Sequence, residues 1–197
     1  DIASGKVLAN ELRHRLEEAI RRFQRDGRLM IGICNGFQVL VKAGLLPGLK
    51  DMQTQATLTN NDRGRFDDRW INLRAEDSVC AFLRPGENLY LPIAHGEGKF
   101  VADKTVLAEL RTQRMVVVRY AAPDYGPARG FPENPNGSLD DIAGICDPTG
   151  RIFGLMPHPE RHVEPTHHPR WTREGLQAEG DGLKVFRNAV SFVRRDG

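Results

Sequence analysis

The sequence predicts an α/β fold on the strength of three observations. Residues 29–33 form a short, continuously apolar segment, which is typical of a strand buried on both faces of a parallel sheet. Segments with helical periodicity lie on either side of it, and the order helix–strand–turn–helix indicates α/β architecture. The chain has 197 residues, 40% of them apolar, which is enough to bury one core. We therefore expect a single domain over residues 1–197.

The first predicted element is a helix over residues 5–26, capped by Ser4 and ended by Gly27. Its apolar stripe comprises Leu8, Leu12, Leu16, Ala19, Ile20 and Phe23. The strand at residues 29–33 follows. A second helix is predicted over residues 36–43, where Gly44 and Pro47 stop it.

The middle of the chain is richer in predicted strands, and these lie at residues 55–59, 69–74, 88–93 and 115–120, with a helix at 104–112. Residues 123–138 hold four prolines and are expected to form a long surface loop. Residues 147–150 read Asp-Pro-Thr-Gly between two apolar segments, which predicts a hairpin of strands 142–146 and 151–156. A polar surface excursion at 171–182 precedes a closing helix over 183–194. Its predicted buried side consists of Leu183, Phe186, Val190 and Val193.

Composition excludes several classes of protein. Lys and Arg number 28 against 26 Asp and Glu, so the net charge of +2 gives no reason to expect a nucleic-acid partner. The arginine-rich stretch near residues 13–28 is interleaved with acidic residues, which is typical of a solvated helix face. No apolar run reaches the roughly 18 residues of a membrane helix. Three widely separated cysteines do not form a disulfide framework and suit the reducing cytoplasm.

The strongest local signal for chemistry is the run Gly32, Ile33, Cys34, Asn35 and Gly36 between a predicted strand and helix. It matches the nucleophile-elbow pattern G-x-S-x-G with cysteine in the serine position. Such a turn is tight, so the residues two positions either side are expected to lack bulky Cβ substituents. The helix N-terminus that follows is expected to favour the thiolate of Cys34. The alternative is an inert buried cysteine beside two turn glycines.

A second signal lies at the end of the strand predicted at 151–156. Pro157 and Pro159 disfavour a helix and force an extended backbone, in which residues two positions apart project to one side. His158 and Glu160 can therefore approach each other, and the carboxylate would orient the imidazole. Alone, these residues would be read as a surface turn. Together with the cysteine elbow, they favour a Cys34–His158–Glu160 triad.

These two motifs, GICNGFQ at 32–38 and HPE at 158–160, resemble those of the class I (triad) glutamine amidotransferases. Further segments resemble the glutaminase subunits of phosphoribosylformylglycinamidine synthase, a purine-biosynthetic enzyme. They are DIASGKVLAN at 1–10, AGLLPG at 43–48, PIAHGEG at 92–98, NPNGS at 134–138 and LMPHPER at 155–161. The resemblance spans residues 1–161 and resumes at 181–193. It implies a flavodoxin-like, doubly wound and mostly parallel sheet with helices on both faces, and a site at the carboxyl ends of the strands.

The resemblance also implies a reaction. Cys34 would attack the side-chain amide carbon of glutamine, and His158 would protonate the departing ammonia and then activate water against the thioester. Glu160 would hold His158. The backbone N–H of Asn35 would be one donor to the oxyanion.

Two more residues receive roles by resemblance alone. Gln38 would help to hold the glutamine, and His95 and Glu97 would line the substrate pocket or the ammonia exit. The residues themselves leave open an ordinary helix position for Gln38 and a glycine-rich turn at 95–98.

The implied partners are a large synthetase subunit, which receives the ammonia, and a small accessory subunit. ATP and Mg²⁺ are expected on the large partner, because this sequence has no G-x-x-x-x-G-K-[ST] motif and no well-placed G-x-G-x-x-G. No cofactor and no metal are expected in this chain. The four histidines at 158, 162, 167 and 168 lie among prolines that break any regular ligand spacing.

The sequence begins with Asp1, whereas members of the family have about three βα elements ahead of the matching segment. One of those elements carries a Gly-Gly turn that donates the second oxyanion N–H. We therefore expect residues 1–197 alone to be N-terminally incomplete, to expose the strand at 29–33 on one side, and to have weak or no glutaminase activity.

Two other functions remain open at this point. One is a non-catalytic amidotransferase-like module that docks on a partner without hydrolysing glutamine. The other is a cysteine hydrolase or peptidase built on the same elbow, although the His158–Glu160 pair after a late strand argues against it.

Overall fold

The computed structural model describes residues 8–12 and 15–196. Residues 8–12 are helical, and helix α1 is Glu17–Arg25. The predicted cap at Ser4 lies outside the described residues. A turn and bend at residues 15–16 interrupt the single helix predicted over 5–26, and Gly27 ends α1 with a φ of 66°, as predicted. Along the predicted stripe, Ile20 is buried, but Leu8, Leu16 and Phe23 are 40–48% exposed, since none of the described elements covers them.

The strands and the other helices largely follow the predicted order. The strands are β1 Met30–Ile33, β2 Ala56–Asn60, β3 Asp67–Ala75, β4 Leu89–His95, β5 Glu97–Ala102, β6 Val116–Ala121, β7 Ile142–Cys146 and β8 Ile152–Leu155. The helices are α2 Asn35–Lys42, α3 Lys104–Thr112, α4 Trp171–Glu174 and α5 Leu183–Asp196. Helix α3 has the predicted bounds, and the side chain of its N-cap, Asp103, accepts a hydrogen bond from the N–H of Val106.

The α/β class is confirmed, and six strands form one sheet in the order β1-β8-β7-β6-β3-β4. Among the described residues, β1 pairs with β8 in parallel and the other neighbours are antiparallel, so the sheet is mixed rather than mostly parallel. The reason is the length of the connections. The short turn between β7 and β8 permits only antiparallel pairing, whereas the long excursion between β1 and β8 permits a parallel pair. Strand β1 lies at the edge of this sheet and is half-buried.

Strand β5 was missed by the sequence prediction. It pairs antiparallel with β2 in a separate two-stranded sheet, with Leu58 opposite Phe100. The glycines at 96 and 98 are typical of a turn, and that hid the strand. Both Leu58 and Phe100 are buried in the core, which shows that packing outweighs local preference here.

The buried side of α5 also differs from the prediction. Val190 and Val193 are 52% and 51% exposed, while Val185 and Asn188 face the interior. The Asn188 amide donates hydrogen bonds to Glu87 Oε2 at 2.6 Å and to the Phe82 carbonyl at 3.3 Å. These polar contacts fix the rotation of the helix, and a hydrophobic pattern does not reveal them.

Among the described residues, no helix combines the length and the apolar character that crossing a membrane requires.

Candidate active site

Cys34 lies on a strained turn between β1 and α2. Its φ is 52° and its ψ is −108°, a backbone conformation that residues with a side chain rarely adopt. Its own N–H donates to the Leu155 carbonyl at 2.8 Å, which ties the turn to β8. The predicted nucleophile elbow is therefore present.

The two glycines of the elbow differ in what they permit. A Cβ atom on Gly32 would lie 2.6 Å from Leu40 Cδ1 and 2.7 Å from the backbone of Gly36, so only glycine fits. A Cβ atom on Gly36 would meet no described atom within 4 Å. The predicted crowding is confirmed at Gly32, because the turn folds its own atoms against that position, whereas at Gly36 the described residues leave room for a Cβ atom.

The electrostatics of Cys34 correct a second expectation. Burial raises the pKa of the thiol above its ordinary value. The backbone N–H of Asn35, which donates to the sulfur, and the charge of Arg161 lower this pKa, while Glu160 raises it. Burial raises the pKa of Cys34 more than the helix N-terminus lowers it. The residue is therefore a thiol at rest and needs a base to remove its proton.

His158 and Glu160 meet as predicted, with Nδ1 of the imidazole 2.6 Å from Glu160 Oε1. The backbone between them is not extended. Residues Pro159–Arg161 form a 3₁₀ turn that begins after His158. The proline at the first turn position favours that turn, because its fixed φ suits helical geometry and its missing N–H costs nothing there.

The sheet brings Cys34 and His158 to the same end, where β1 and β8 finish. Cys34 directly follows β1, and His158 follows β8, which pairs with β1 in parallel with Ile33 opposite Leu155. Carboxyl ends of neighbouring parallel strands lie side by side. The charges of Glu160 and Arg161 act on the Cys34 thiol, consistent with this proximity. Among the described residues, Nε2 of His158 is buried and has no hydrogen-bond partner, so it is available to take a proton.

A pocket of about 600 Å³ opens beside the elbow. Its lining includes Cys34, Asn35, Gln38, His95 and Glu97. Gln38 Nε2 donates to the Glu97 carbonyl at 2.8 Å, which holds the start of β5 against α2. The predicted contact between Gln38 and glutamine stays a prediction. The volume lies in the range of small-molecule sites.

His95 forms a buried part of the pocket wall, with an exposed fraction of 4%. Its Nδ1 is 3.1 Å from Asn61 Oδ1. The pKa of the imidazole is lowered to about 4, mainly by burial and in smaller part by the charge of His158. A Cβ atom on Gly98 would collide with the imidazole, so the glycine makes room for the ring.

The segment at 134–138 supports this wall. Asn136 is fully buried, and its Nδ2 donates to the Gly98 carbonyl and to the Tyr120 hydroxyl, both at 2.9 Å. Ser138 Oγ accepts from the Phe100 N–H at 2.9 Å. The end of the predicted surface loop is thus buried, because its polar side chains form hydrogen bonds with backbone groups of β5.

His162 has structural contacts outside the pocket. His162 Nδ1 is 2.7 Å from the Tyr90 carbonyl, and its ring lies edge-on to Trp70 at 5.0 Å. Within residues 8–12 and 15–196, no cluster of three or more His, Cys, Asp or Glu side chains is arranged to hold a metal ion.

Sequence reasoning missed Asn61 and the residues after it. Asn61 is 2% exposed and donates through Nδ2 to the carbonyls of Arg65 and His95, both at 2.9 Å. Arg65 and Phe66 line the pocket. The run following β2 is polar and carries no motif, so only the fold shows that it reaches the site.

Comparison with known proteins gives consistent results. The model of a family described as the CobB/CobQ-like glutamine amidotransferase domain matches residues 1–193. The PurQ subunit of phosphoribosylformylglycinamidine synthase from Dehalococcoides mccartyi is 52% identical over 197 residues, covering 99% of this chain and 75% of that protein. The PurQ subunit from Methanococcus maripaludis is 39% identical over 208 residues, covering 99% of this chain and 76% of that protein.

A solved structure of PurLQS from Thermotoga maritima matches with a TM-score of 0.67 and 32% sequence identity, covering 94% of this chain and 71% of that one. The sequence matches and the shared fold agree with the cysteine elbow and the histidine–glutamate pair. The chain belongs to the family of glutamine amidotransferases that includes the PurQ subunits of phosphoribosylformylglycinamidine synthase.

Proposed function

We propose that this chain is the glutaminase subunit of a phosphoribosylformylglycinamidine synthase. It hydrolyses glutamine to glutamate and ammonia and passes the ammonia to a synthetase partner. The partner uses it in the ATP-dependent conversion of formylglycinamide ribonucleotide to its amidine. The observation that carries the proposal is the placement of Cys34 and the His158–Glu160 pair after two neighbouring parallel strands.

The first half of the reaction makes a thioester. Nε2 of His158 takes the proton of the Cys34 thiol as the sulfur attacks the amide carbon of glutamine. Glu160, bound to Nδ1, orients the ring and stabilises the imidazolium that forms. The N–H of Asn35, at the start of α2, would donate to the oxygen that becomes negative.

The second half releases both products. The His158 imidazolium protonates the amide nitrogen as the carbon–nitrogen bond breaks, and ammonia leaves. His158 then accepts a proton from water, whose oxygen attacks the thioester carbon. The carbon–sulfur bond breaks, glutamate is released, and His158 returns the proton to the sulfur of Cys34. The raised pKa of Cys34 makes the base necessary, because little thiolate is present in the resting site.

The partners follow from the relatives. The Thermotoga maritima match is a PurLQS structure, so we assign a large synthetase subunit and a small subunit as partners of this chain. ATP and Mg²⁺ belong to the synthetase in this proposal, since the present sequence carries no nucleotide-binding loop of the Walker type. Three free cysteines fit a cytoplasmic setting.

A Cys34→Ala substitution tests the proposal in the assembled synthase. We expect glutamine-dependent synthesis of the amidine to be lost, because no thioester forms, while synthesis from added ammonium chloride continues. Glutamate release and amidine formation are measured in parallel. Cys80→Ala serves as the control, because Cys80 is a buried cysteine outside the pocket. Unchanged use of glutamine by Cys34→Ala would leave only a docking role for the chain.

A further inference from the structure

The wall of the pocket carries two side chains of opposite charge. They are Arg65 and Glu97, and both line the pocket together with Cys34. The pKa of His95 is about 4, so this imidazole adds no charge to the wall at neutral pH. The pocket therefore presents one cation and one anion to a ligand.

Neither charge is paired within the protein. Among the described residues, the side chains of Arg65 and Glu97 form no ion pair and no hydrogen bond, either with each other or with a third residue. The neighbouring arginines are engaged elsewhere, since the guanidinium groups of Arg63 and Arg69 lie 4.0 and 4.6 Å from the centroid of the Phe131 ring. The charge of Arg65 is thus left for a ligand.

Hydrogen bonds hold Arg65 and Glu97 at the same corner of the pocket, between β4 and β5. Asn61 Nδ2 donates to the carbonyls of Arg65 and His95, both at 2.9 Å, and the Asn61 N–H donates to the Gly96 carbonyl at 3.0 Å. Glu97 follows Gly96 directly as the first residue of β5. The segment that carries Arg65 is therefore attached to the backbone beside Glu97.

Glu97 is also connected to the helix that starts beside the nucleophile. Gln38 lies one turn into α2, and its N–H donates to the Cys34 carbonyl at 3.2 Å. Its Nε2 donates to the Glu97 carbonyl at 2.8 Å. The start of β5 is thus linked to the elbow through a single side chain.

The two charges match one end of a free amino acid. Glutamine carries an α-carboxylate and an α-ammonium group, and two methylene groups separate its α-carbon from the amide carbon that reacts. A guanidinium binds a carboxylate through charge-assisted hydrogen bonds, and a carboxylate binds an ammonium group in the same way. A ligand without either charge would leave both side chains unpaired.

We propose that Arg65 binds the α-carboxylate of glutamine and that Glu97 binds its α-ammonium group, so that the pocket selects a free amino acid. This inference rests on the proposed glutaminase function. The amide end of the bound glutamine then lies toward Cys34. A glutamine residue within a peptide chain has neither charge and is rejected, because its binding would leave Arg65 and Glu97 without partners.

Two analogues of glutamine test the two contacts separately in the assembled synthase. Glutaric acid monoamide keeps the carboxylate and the amide but lacks the amino group. The second analogue, 4-aminobutanamide, keeps the amino group and the amide but lacks the carboxylate. Each analogue competes with glutamine, and its inhibition constant is measured from the release of glutamate, which neither analogue can produce.

Arg65→Gln should raise the KM for glutamine and the inhibition constant of glutaric acid monoamide by about 10-fold, the loss of one charge-assisted contact. The inhibition constant of 4-aminobutanamide should stay close to wild type. Glu97→Gln should give the opposite pattern, with weaker binding of glutamine and 4-aminobutanamide only. Arg65→Lys keeps the charge and should recover part of the loss.

Arg63→Gln is the matched control, because Arg63 lies over Phe131 and is not part of the pocket lining. It should leave all three constants unchanged. Synthesis from added ammonium chloride should be the same in every variant, and thermal unfolding checks that each variant folds.

Three results would overturn the proposal. In the first, Arg65→Gln weakens both analogues equally, which would indicate a general change in the pocket. In the second, neither Arg65→Gln nor Glu97→Gln changes the KM for glutamine. In the third, the pattern is exchanged, and Arg65→Gln weakens only 4-aminobutanamide. Failure of the glutaminase function itself looks different, because the wild-type synthase would then release no glutamate.

Discussion

The thiol of Cys34 is subject to two opposing influences, burial and the N-terminus of α2. The turn places the sulfur at the start of a helix, where the Asn35 N–H lowers the pKa of the thiol. Burial raises this pKa by a larger amount. A resting thiol is less exposed to adventitious oxidation than a thiolate. Activation then depends on the His158–Glu160 pair and on bound substrate.

The rate at which iodoacetamide alkylates Cys34 should report this raised pKa. We expect the rate to rise with pH and to reach its midpoint above that of an ordinary cysteine, since the thiolate is the reactive form. Glu160→Gln should move the midpoint down, because the Glu160 charge raises the pKa. Cys34→Ala identifies any labelling of the two buried cysteines. A midpoint below the ordinary value would contradict the dominance of burial.

Glu160 itself provides a second test at the residue scale. In Glu160→Gln the amide oxygen can still accept from Nδ1 of His158, but the negative charge that stabilises the imidazolium is gone. We expect kcat for glutamine hydrolysis to fall by about 10²–10⁴-fold, with little change in KM. Steady-state kinetics of glutamate release by the assembled synthase measure both constants. Glu164→Gln is the control, because Glu164 is an exposed residue in the next turn of the same segment. Equal kinetics for Glu160→Gln and wild type would remove Glu160 from the triad.

At the scale of elements, strand β5 depends on the segment at 134–138 for its position. The Asn136 amide bridges the Gly98 carbonyl and the Tyr120 hydroxyl, so it joins β5 to β6. Gly98 in turn accommodates the ring of His95. The geometry of the pocket wall is thus determined by a loop more than thirty residues further along the chain.

Asn136→Leu should therefore destabilise the protein. The substitution has similar size but removes the donor to the Gly98 carbonyl and the Tyr120 hydroxyl and the acceptor of the Ser138 hydroxyl. We expect the free energy of unfolding to fall by about 2–4 kcal/mol. Urea unfolding measures the change. Arg129→Leu, at an exposed position of the same loop, should change the free energy of unfolding by less than about 0.5 kcal/mol. A comparable effect of both substitutions would show that the buried amide contributes nothing specific.

At the scale of the whole molecule, a buried neutral histidine makes stability depend on pH. The pKa of His95 falls from 6.5 to about 4 on folding. Between these two pH values the imidazole is protonated in the unfolded chain and neutral in the folded protein. The free energy of unfolding therefore decreases as the pH falls below 6.5, and the decrease levels off below about 4.

Urea unfolding at pH 8 and pH 5 tests this dependence. Wild type should lose about 2 kcal/mol more than His95→Asn between the two values, because the variant lacks the titrating group. His167→Asn removes an exposed histidine and should behave like wild type. If wild type and His95→Asn lose the same stability, the imidazole is not held neutral by the fold.

The sequence alone predicted those structural features that depend on residues close together in the chain. The elbow at Cys34 and the hairpin of β7 and β8 follow from residues close together in the chain. The contact between His158 and Glu160 was also predicted, though a 3₁₀ turn rather than an extended segment produces it. Helix α3 was also predicted with its bounds, and the structure adds that Asp103 caps its first turn.

The tertiary structure decided what depends on contacts between distant residues. The sequence did not show that Asn61 contacts the ring of His95, that Asn188 sets the rotation of α5, or that burial affects the pKa of Cys34 more than the helix N-terminus does. The strand β5 was hidden for the same reason, since its partners lie on β2 and in the segment at 134–138. Hydrogen bonds and burial are properties of the packed molecule, and a linear pattern records neither.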